Sequence, residues 1–568
     1  MIDALQATAV ILILGAALLS GNFLAPYVVR VLTGAPSRLD RFLDPIEKRV
    51  YRLVGADPGV GMGWKQYFFA ALFLNIAQMA VAFVILVGQG SLPLNPQGFP
   101  GFSWDLALNT VVSFATNTNL QHYAGEGQLV NGQWVGGLSY LSQMSAIQFL
   151  QFTSAATGVC VMAAMVRGMK AGSTNMGNFY VDFVRVLTRI LLPMCFVAAL
   201  ILVALGIPQT LGGYVNVQTV EGTVTGTTQT LLVGPVASLV SIMQIGTNGG
   251  GYFGANSAYP FQNPNPATNV LEIYLMLLLP TTLVFVFGEL IGKKRETRPI
   301  LIATYGLFAI DLAIAFIPPL PVVGPGIETR FGGFFSTFWT VVTTAVTTGS
   351  VNSSLAGINP LGILSAFMGM LIQATPGGKG VGVMYMIMYI VITVFVVGLM
   401  TGRTPEYLGM KINARDVKLV MVAFLIHPII ILIPTVLAYA TNAVNAIPGF
   451  GSLPTPVGFT QILYEFTTSA ANNGSDFLGT AANTLFFNIS TAAVIFVGRF
   501  APIAILLALA GSMIGRKRTS ASSLKTDSNT FSLVLIGSVL LLVVLTFFPF
   551  LILGPLLQYF QGMVNFLG

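Results

Sequence analysis

Apolar residues run in long blocks along this chain, and the polar connections between the blocks alternate between two kinds. Ten blocks reach the length of about 20 residues that a membrane-spanning helix needs: 7–29, 64–88, 138–164, 178–206, 267–291, 299–320, 361–400, 417–440, 482–512 and 530–556. One kind of connection is rich in Lys and Arg. The other is long, almost free of positive charge, and holds an apolar stretch too short to cross a bilayer: 103–116, 235–246, 333–346 and 456–470. Helix-start chemistry precedes these stretches, with Ser103 and Asp105, Pro235 after Gly234, and Thr455 before Pro456. The pattern predicts an all-α membrane protein of about ten transmembrane helices, a single polytopic domain over 1–568, with four short re-entrant helices.

The block 361–400 does not fit a simple span. As one helix it would be roughly 60 Å long, about twice the hydrocarbon thickness. Splitting it into two spans would move Arg403, Lys411, Arg415 and Lys418 to the other side of the membrane, against the positive-inside rule. One interrupted span remains, with T-P-G-G-K-G-V-G (375–382) as an unwound loop at membrane depth.

Charge fixes the orientation. No basic residue precedes the first block, and Arg30 follows it, which predicts a retained helix with its N-terminus outside and not a cleaved signal peptide. On that orientation the cytoplasmic segments 30–65, 165–190, 292–298, 401–418 and 513–528 hold 23 of the 26 Lys and Arg residues. Only Arg330, Lys379 and Arg499 lie elsewhere. Clusters such as Lys293-Lys294-Arg295 and Arg516-Lys517-Arg518 read as orientation signals facing anionic lipid, so the net charge of +7 does not argue for nucleic acid. With 54% hydrophobic and 8% charged residues, the chain leaves no room for a soluble domain. Cys160 and Cys195 fall inside apolar blocks and read as packed thiols.

Each short helix runs into a polar strip: T-N-T-N (116–119), T-N-G-G (247–250), T-T-G-S (347–350) and N-N-G-S (472–475). They recur every 100 to 130 residues or so, each followed by another apolar block. The approximate repeats are 64–164, 178–291, 299–400 and 417–512, with 7–29 and 530–556 as extra helices. Irregular backbone at membrane depth persists only where it lines a cavity or is buried in protein. Four strips around one axis would present rings of carbonyls that replace the water shell of a monovalent cation. Gly249, Gly349 and Gly474 would supply the φ values that turn carbonyls inward, and the short helices would aim their negative C-terminal ends at the centre. In the gap-free overlay, Thr118 stands where the other strips have glycine.

The stretches T-N-T-N-L-Q (116–121), G-T-N-G-G-G-Y-F-G-A-N-S-A-Y-P-F-Q-N-P (246–264), T-T-G-S-V-N (347–352), G-R-T-P-E-Y-L-G (402–409) and A-N-N-G-S (471–475) resemble the potassium-pore (A) subunit of the bacterial Kdp-type potassium-transporting ATPase, over essentially the whole chain. The resemblance implies a chain of the same superfamily as the Trk and Ktr potassium transporters. It also implies K+ as the transported ion, a cytoplasmic (inner) membrane location, and partnership with a P-type ATPase catalytic (B) subunit, a single-span C subunit and a small F peptide. Carried over residue by residue, it marks Asn117, Thr118, Asn119, Thr247, Asn248, Gly249, Thr347, Thr348, Gly349, Asn472, Asn473 and Gly474 as the filter and Gln121 as the support of the first strip. Leu120 stands where the family has a tryptophan, and the third strip lacks a cysteine seen in some relatives. Neither change removes a carbonyl.

Two further cations are candidates for gating or exit. Arg499 lies deep in an apolar block, where a charge costs at least about 2.5 kcal/mol. It is either part of the ion path or an interhelical anchor. Lys379, within Gly377, Gly378, Lys379 and Gly380, either forms a positive barrier below the filter or reaches for lipid headgroups. Asp476 either raises cation concentration at the mouth or caps a helix. His122 and His427 have no partners at metal-ligand spacing. The chain carries neither a Walker motif nor a D-K-T-G phosphorylation sequence, so ATP must be used by a partner and this chain is expected to be non-catalytic. A free-standing channel or symporter of the Trk or Ktr type, and a membrane-embedded enzyme, are the competing readings. The latter lacks a cluster of ionisable groups in the spans.

Overall fold

A computed structural model describes residues 4–37, 40–223, 226–317, 324–448, 450, 455–516 and 525–567. Among these residues ten helices are long and apolar enough to cross a membrane: Ala4–Thr33, Trp64–Ser91, Tyr140–Gly168, Phe179–Ala204, Pro266–Ile291, Lys294–Ala315, Val381–Met400, Ala414–Ala440, Leu485–Met513 and Asn529–Val564. They are called the first to tenth spans below. The last three residues of the expected block 299–320, as well as Lys517 and Arg518, lie outside the described residues. The chain is a multi-pass, mainly helical membrane protein.

The expected interruption is present and shifts slightly. A helix Pro360–Ile372 of 13 residues stops at Gln373, whose φ of 55° is left-handed, and the seventh span restarts at Val381. The unwound loop is therefore 373–380. Four more short helices, Trp104–Ala115, Val236–Ile245, Gly332–Ala345 and Pro456–Ala470, occupy the predicted stretches. Thr455 caps the last of them by accepting the Gly458 N–H at 3.0 Å. Ser103 stands at the N-cap of the first without a side-chain cap bond.

The third span forms the middle of the bundle. Its sequence Ser154-Ala155-Ala156-Thr157-Gly158 is buried throughout, and such small residues let neighbouring backbones approach closely. The first span shows the opposite, with Leu5, Leu12, Leu19 and Phe23 exposed. Its Gly21 packs against the backbone of Thr281 and Thr282 in the fifth span.

Several basic residues read from sequence as topology signals also clamp helices together. Arg167 grips Asp182 through two bonds of 2.6 and 2.9 Å, and Tyr67 donates to the same carboxylate at 2.8 Å, which joins the second, third and fourth spans. Arg516 grips Asp416 likewise. Arg189 holds Glu47 at 2.7 and 2.8 Å, Asp44 at 2.7 Å, and Asp40. The last three acids lie on Asp40–Val54, an amphipathic helix that the hydropathy pattern does not announce. Also beyond the all-α expectation, three small antiparallel hairpins occur in connections among the described residues: Gln128–Val130 with Gln133–Val135, Val215–Thr223 with Gly226–Leu231, and Glu406–Tyr407 with Met410–Lys411. The G-R-T-P-E-Y-L-G stretch supplies the first strand and the tip of the third. Leu408 and Gly409 at its tip have φ of 56° and 83°, and Lys293 donates to the Leu408 carbonyl at 3.1 Å.

Candidate functional site

The four short helices end in the same turn. The first residue past each C-cap is left-handed: Asn117 (φ 65°), Thr247 (46°), Thr347 (47°) and Asn472 (51°). The next residue donates its N–H to the carbonyl five residues back: Thr118 to Ser113 at 2.9 Å, Asn248 to Met243 at 2.7 Å, Thr348 to Thr343 at 2.8 Å and Asn473 to Thr468 at 2.9 Å. This repeated turn corrects the sequence overlay by one residue in the first strip. Asn117 and not Thr116 stands with Thr247, Thr347 and Asn472, because Thr116 is still the C-cap of its helix. The third position is then Asn119, Gly249, Gly349 and Gly474. Thr118 is spared the left-handed geometry, which Asn119 takes at φ 60°. Asparagine tolerates that region better than a β-branched residue does.

The strips close into a ring. Asn117 Nδ2 donates to the Thr247 carbonyl at 2.6 Å, Asn473 Nδ2 to the Thr343 carbonyl at 2.9 Å, and Asn472 Nδ2 to Thr118 Oγ1 at 2.9 Å. Glycines make the remaining approaches. A Cβ at Gly249 would lie 2.5 Å from Thr348 O and 3.0 Å from Asn473 O. One at Gly349 would strike Asn473 O, and one at Gly474 would strike Thr118 O. Gly349 and Gly474 have φ of 92° and 105°, whereas Gly249 is outside the left-handed region, so its requirement is space alone. This revises the expectation of one conformational role for all three.

The carbonyls of Thr118, Asn248, Thr348 and Asn473 accept no hydrogen bond among the described residues, although all four residues are buried. Buried backbone carbonyls are ordinarily paired. These four unpaired ones lie on adjoining strips of the ring, whereas three of the four fourth-position carbonyls accept side-chain hydrogen bonds. Ser113 Oγ donates to Leu120 O at 3.0 Å, Gln151 Nε2 to Gly250 O at 2.8 Å and Trp339 Nε1 to Ser350 O at 2.8 Å. Gln121 braces the second strip and not the one it follows: its amide exchanges two bonds with the Gly251 backbone, at 2.9 and 3.1 Å.

Above the ring opens a cavity of about 510 Å3 lined by Gln121, Glu126, Gly349, Gly474 and Asp476, among others. Asp476 lines this mouth and accepts the Gly479 N–H at 3.1 Å, although the short helix Gly479–Ala482 has Leu478 at its N-cap and no side-chain cap bond. Glu126 accepts the Gly254 N–H at 2.6 Å, and burial pushes its carboxyl up from the usual range.

Below the ring lies the loop 373–380. Gly377 N–H donates to Ala345 O at 2.9 Å, and Gly378 abuts the Thr347 side chain. Lys379 is 1% exposed, and its Nζ lies 3.3 Å from Thr247 O and 3.5 Å from Asn117 O. It does not reach for the membrane surface. Arg499 is buried too, donates to Ser154 O at 3.3 Å, and flanks Gly158 together with Lys379. Neither cation has a carboxylate partner among the described residues.

Sequence reasoning missed a buried group between the first and fourth strips. His122 contacts Asn488 Oδ1 at 2.7 Å and Glu465 Oε1 at 3.1 Å, and Asn488 Nδ2 donates to Asp105 at 2.8 Å. Gln151 was also missed, although a polar residue inside an apolar span is the signal that marks such a position.

A model of the family described as "Potassium-transporting ATPase A subunit" matches residues 10–560. A protein of Caldanaerobacter subterraneus named "Potassium-transporting ATPase potassium-binding subunit" is 43% identical over 94% of this chain and 96% of its own length. Proteins of the same name from Gloeobacter violaceus and Geobacillus kaustophilus are 41% and 43% identical, over 96% and 92% of this chain and 96% and 93% of their own lengths. Among solved structures, the potassium transporter TrkH from Vibrio parahaemolyticus aligns with a TM-score of 0.50 at 16% identity, over 89% of this chain and 98% of that one. That last likeness is one of fold.

Proposed function

Because the chain belongs to the potassium-transporting ATPase A subunit family, we propose that it is the potassium-binding and translocating subunit of an ATP-driven uptake pump. It takes K+ from the extracytoplasmic side through the fourfold carbonyl filter and passes it to a P-type ATPase subunit. The observation that carries this reading is the ring of four buried, unpaired carbonyls at Thr118, Asn248, Thr348 and Asn473. Carbonyl rings of this kind replace the hydration shell of an alkali cation. The four short helices end at the ring, and each adds a partial negative charge there.

The chain is non-catalytic in this reading. It sits in a bacterial inner membrane with its N-terminus outside, beside the ATPase (B) subunit, a single-span C subunit and a small F peptide. The loop 373–380 lies across the direct route to the cytoplasm, with Gly377, Gly378 and Gly380 allowing the fold and Lys379 and Arg499 adding positive charge below the filter. Ions therefore leave sideways toward the ATPase subunit. Two experiments test this. A tagged chain purified from its native membrane should bring a large phosphorylatable ATPase chain with it, and a chain that purifies alone and transports K+ without ATP overturns the pump reading. Deleting residues 377–380 should open an ATP-independent K+ leak in vesicles containing the complex. A deletion variant that stays tight and pumps normally places the barrier elsewhere.

A further inference from the structure

Lys379 is placed where a lysine has no structural reason to be. It hangs from an unwound loop, is 1% exposed, and has no acid within ion-pairing distance among the described residues. A buried ammonium without an anion must draw its stabilisation from dipoles. The dipoles present are the Thr247 and Asn117 carbonyls, at 3.3 and 3.5 Å, which belong to the innermost residues of the second and first strips. The Lys379 backbone is held in the same place, its N–H lying 3.4 Å from Thr247 Oγ1.

The surroundings are shaped to admit this side chain. A Cβ at Gly158 on the third span would lie 2.5 Å from the Lys379 carbonyl and 2.9 Å from its Cγ, and a Cβ at Gly380 would lie 2.5 Å from Gly158 O. Two glycines on separate elements thus leave room for the lysine stem to rise toward the strips.

We propose that the Lys379 ammonium is a tethered cation that competes with the transported ion for the innermost carbonyl position of the filter. This deepens the filter reading above and rests on it. An ammonium and K+ bear the same charge and take the same oxygen ligands, so the two cannot share one position. An ion arriving from the outer ring meets a cation already bonded to Thr247 and Asn117. It advances only when that cation, and the loop carrying it, moves away. The filter's inner end and the loop beneath it are thereby one device, in which the position of Lys379 reports whether the inner ion site is taken.

The test is K+ binding by isothermal titration to the purified complex. Lys379→Met keeps the stem and removes the charge, Lys379→Arg keeps a charge, and Lys379→Gln repeats the neutral test if the Met variant fails to assemble. The neutral variants should bind one more K+ per chain, with apparent affinity raised at least tenfold, while Lys379→Arg stays close to the parent. Gly474→Ala in the parent serves as the control on the filter. If the neutral variants match the parent in number and affinity while Gly474→Ala weakens binding, the tethered-cation inference is overturned and the filter stands. If Gly474→Ala leaves binding unchanged, the filter reading falls and the inference with it.

Discussion

Replacing the third-position glycines one at a time should damage ion selection in a definite order. At Gly474 an alanine meets two obstacles. Its φ of 105° is left-handed, and holding an L-residue in such a conformation costs about 1–3 kcal/mol. Its Cβ would also strike the Thr118 carbonyl, one of the four unpaired oxygens, so relief comes only by moving part of the ring. The same two obstacles stand at Gly349, with φ 92° and the Asn473 carbonyl in the way. Gly249 presents one obstacle, a Cβ 2.5 Å from Thr348 O on ordinary backbone. Together these give about 2–4 kcal/mol at Gly474 and Gly349, or roughly 30- to 1,000-fold in half-saturating K+. For Gly249 the overpacking alone is worth about 1–2 kcal/mol, or roughly 5- to 30-fold. The assay is rubidium uptake by vesicles containing the assembled complex, over a range of K+ and Na+ concentrations, with expression checked by immunoblot. Discrimination against Na+ should fall in the same order. Normal expression with unchanged half-saturation in Gly474→Ala, or a Gly249→Ala variant more impaired than both others, would refute the ring geometry.

The isolated chain, freed of partner subunits, should hydrolyse no ATP at any K+ concentration in a phosphate-release assay, and turnover surviving removal of contaminants contradicts the subunit reading. Glu47→Ala should lower the thermal midpoint of the solubilised chain, because Arg189 loses its most buried partner, and breaking a buried pair costs about 3–5 kcal/mol. Fluorescence-detected size exclusion after heating reads this, and an unshifted midpoint means that the Asp40–Val54 helix is not anchored there. Gln121→Ala should weaken K+ binding, since it frees the Gly251 backbone behind the second strip. Titration of the complex with K+ checks it, with equal affinity as the negative result.

Much of this architecture was legible because lipid imposes strict rules. Spans must be long and apolar, and positive charge must stay on one side, so hydropathy and the Lys/Arg count located every span and forced the break in 361–400. The strips were legible as a fourfold repeat of composition, yet their register was not. The overlay aligned threonines by identity, whereas the turn is set by where each helix's hydrogen bonds end. That point lies at Thr116 in the first strip and one residue earlier relative to the motif in the second, at Gly246. The different roles of Gly249 and Gly474 depend on φ, which a glycine in a sequence does not disclose. The Asp40–Val54 helix escaped notice because its apolar residues share one helix face but alternate in sequence with charged ones, so they form no apolar block. It is held by distant partners, Arg189 and Thr188 on Glu47 and the face of Val181 and Val184 on Tyr51, which no local pattern discloses.

That no carboxylate among the described residues pairs with Lys379 or Arg499 has an electrostatic explanation in the fold. Each short helix ends with a charge equivalent to roughly −0.5 at its C-terminus, so the four ends meeting at the ring sum to roughly −2. Lys379 and Arg499 lie on the side of the ring nearest the loop, and as ammonium and guanidinium they would bring a charge of +2. The helix ends therefore do what acids would do elsewhere, and they do it with dipoles that cannot be protonated and cannot bind an ion as tightly as a carboxylate would. An arriving K+ tips this local balance toward positive charge. Of the two residents, Arg499 is fixed on a continuous helix, Leu485–Met513, while Lys379 hangs on an interrupted one. In the proposed reading the excess charge acts on the loop, the less firmly held of the two elements. Ion arrival, in that reading, is felt by the loop 373–380 and not by the Arg499 helix.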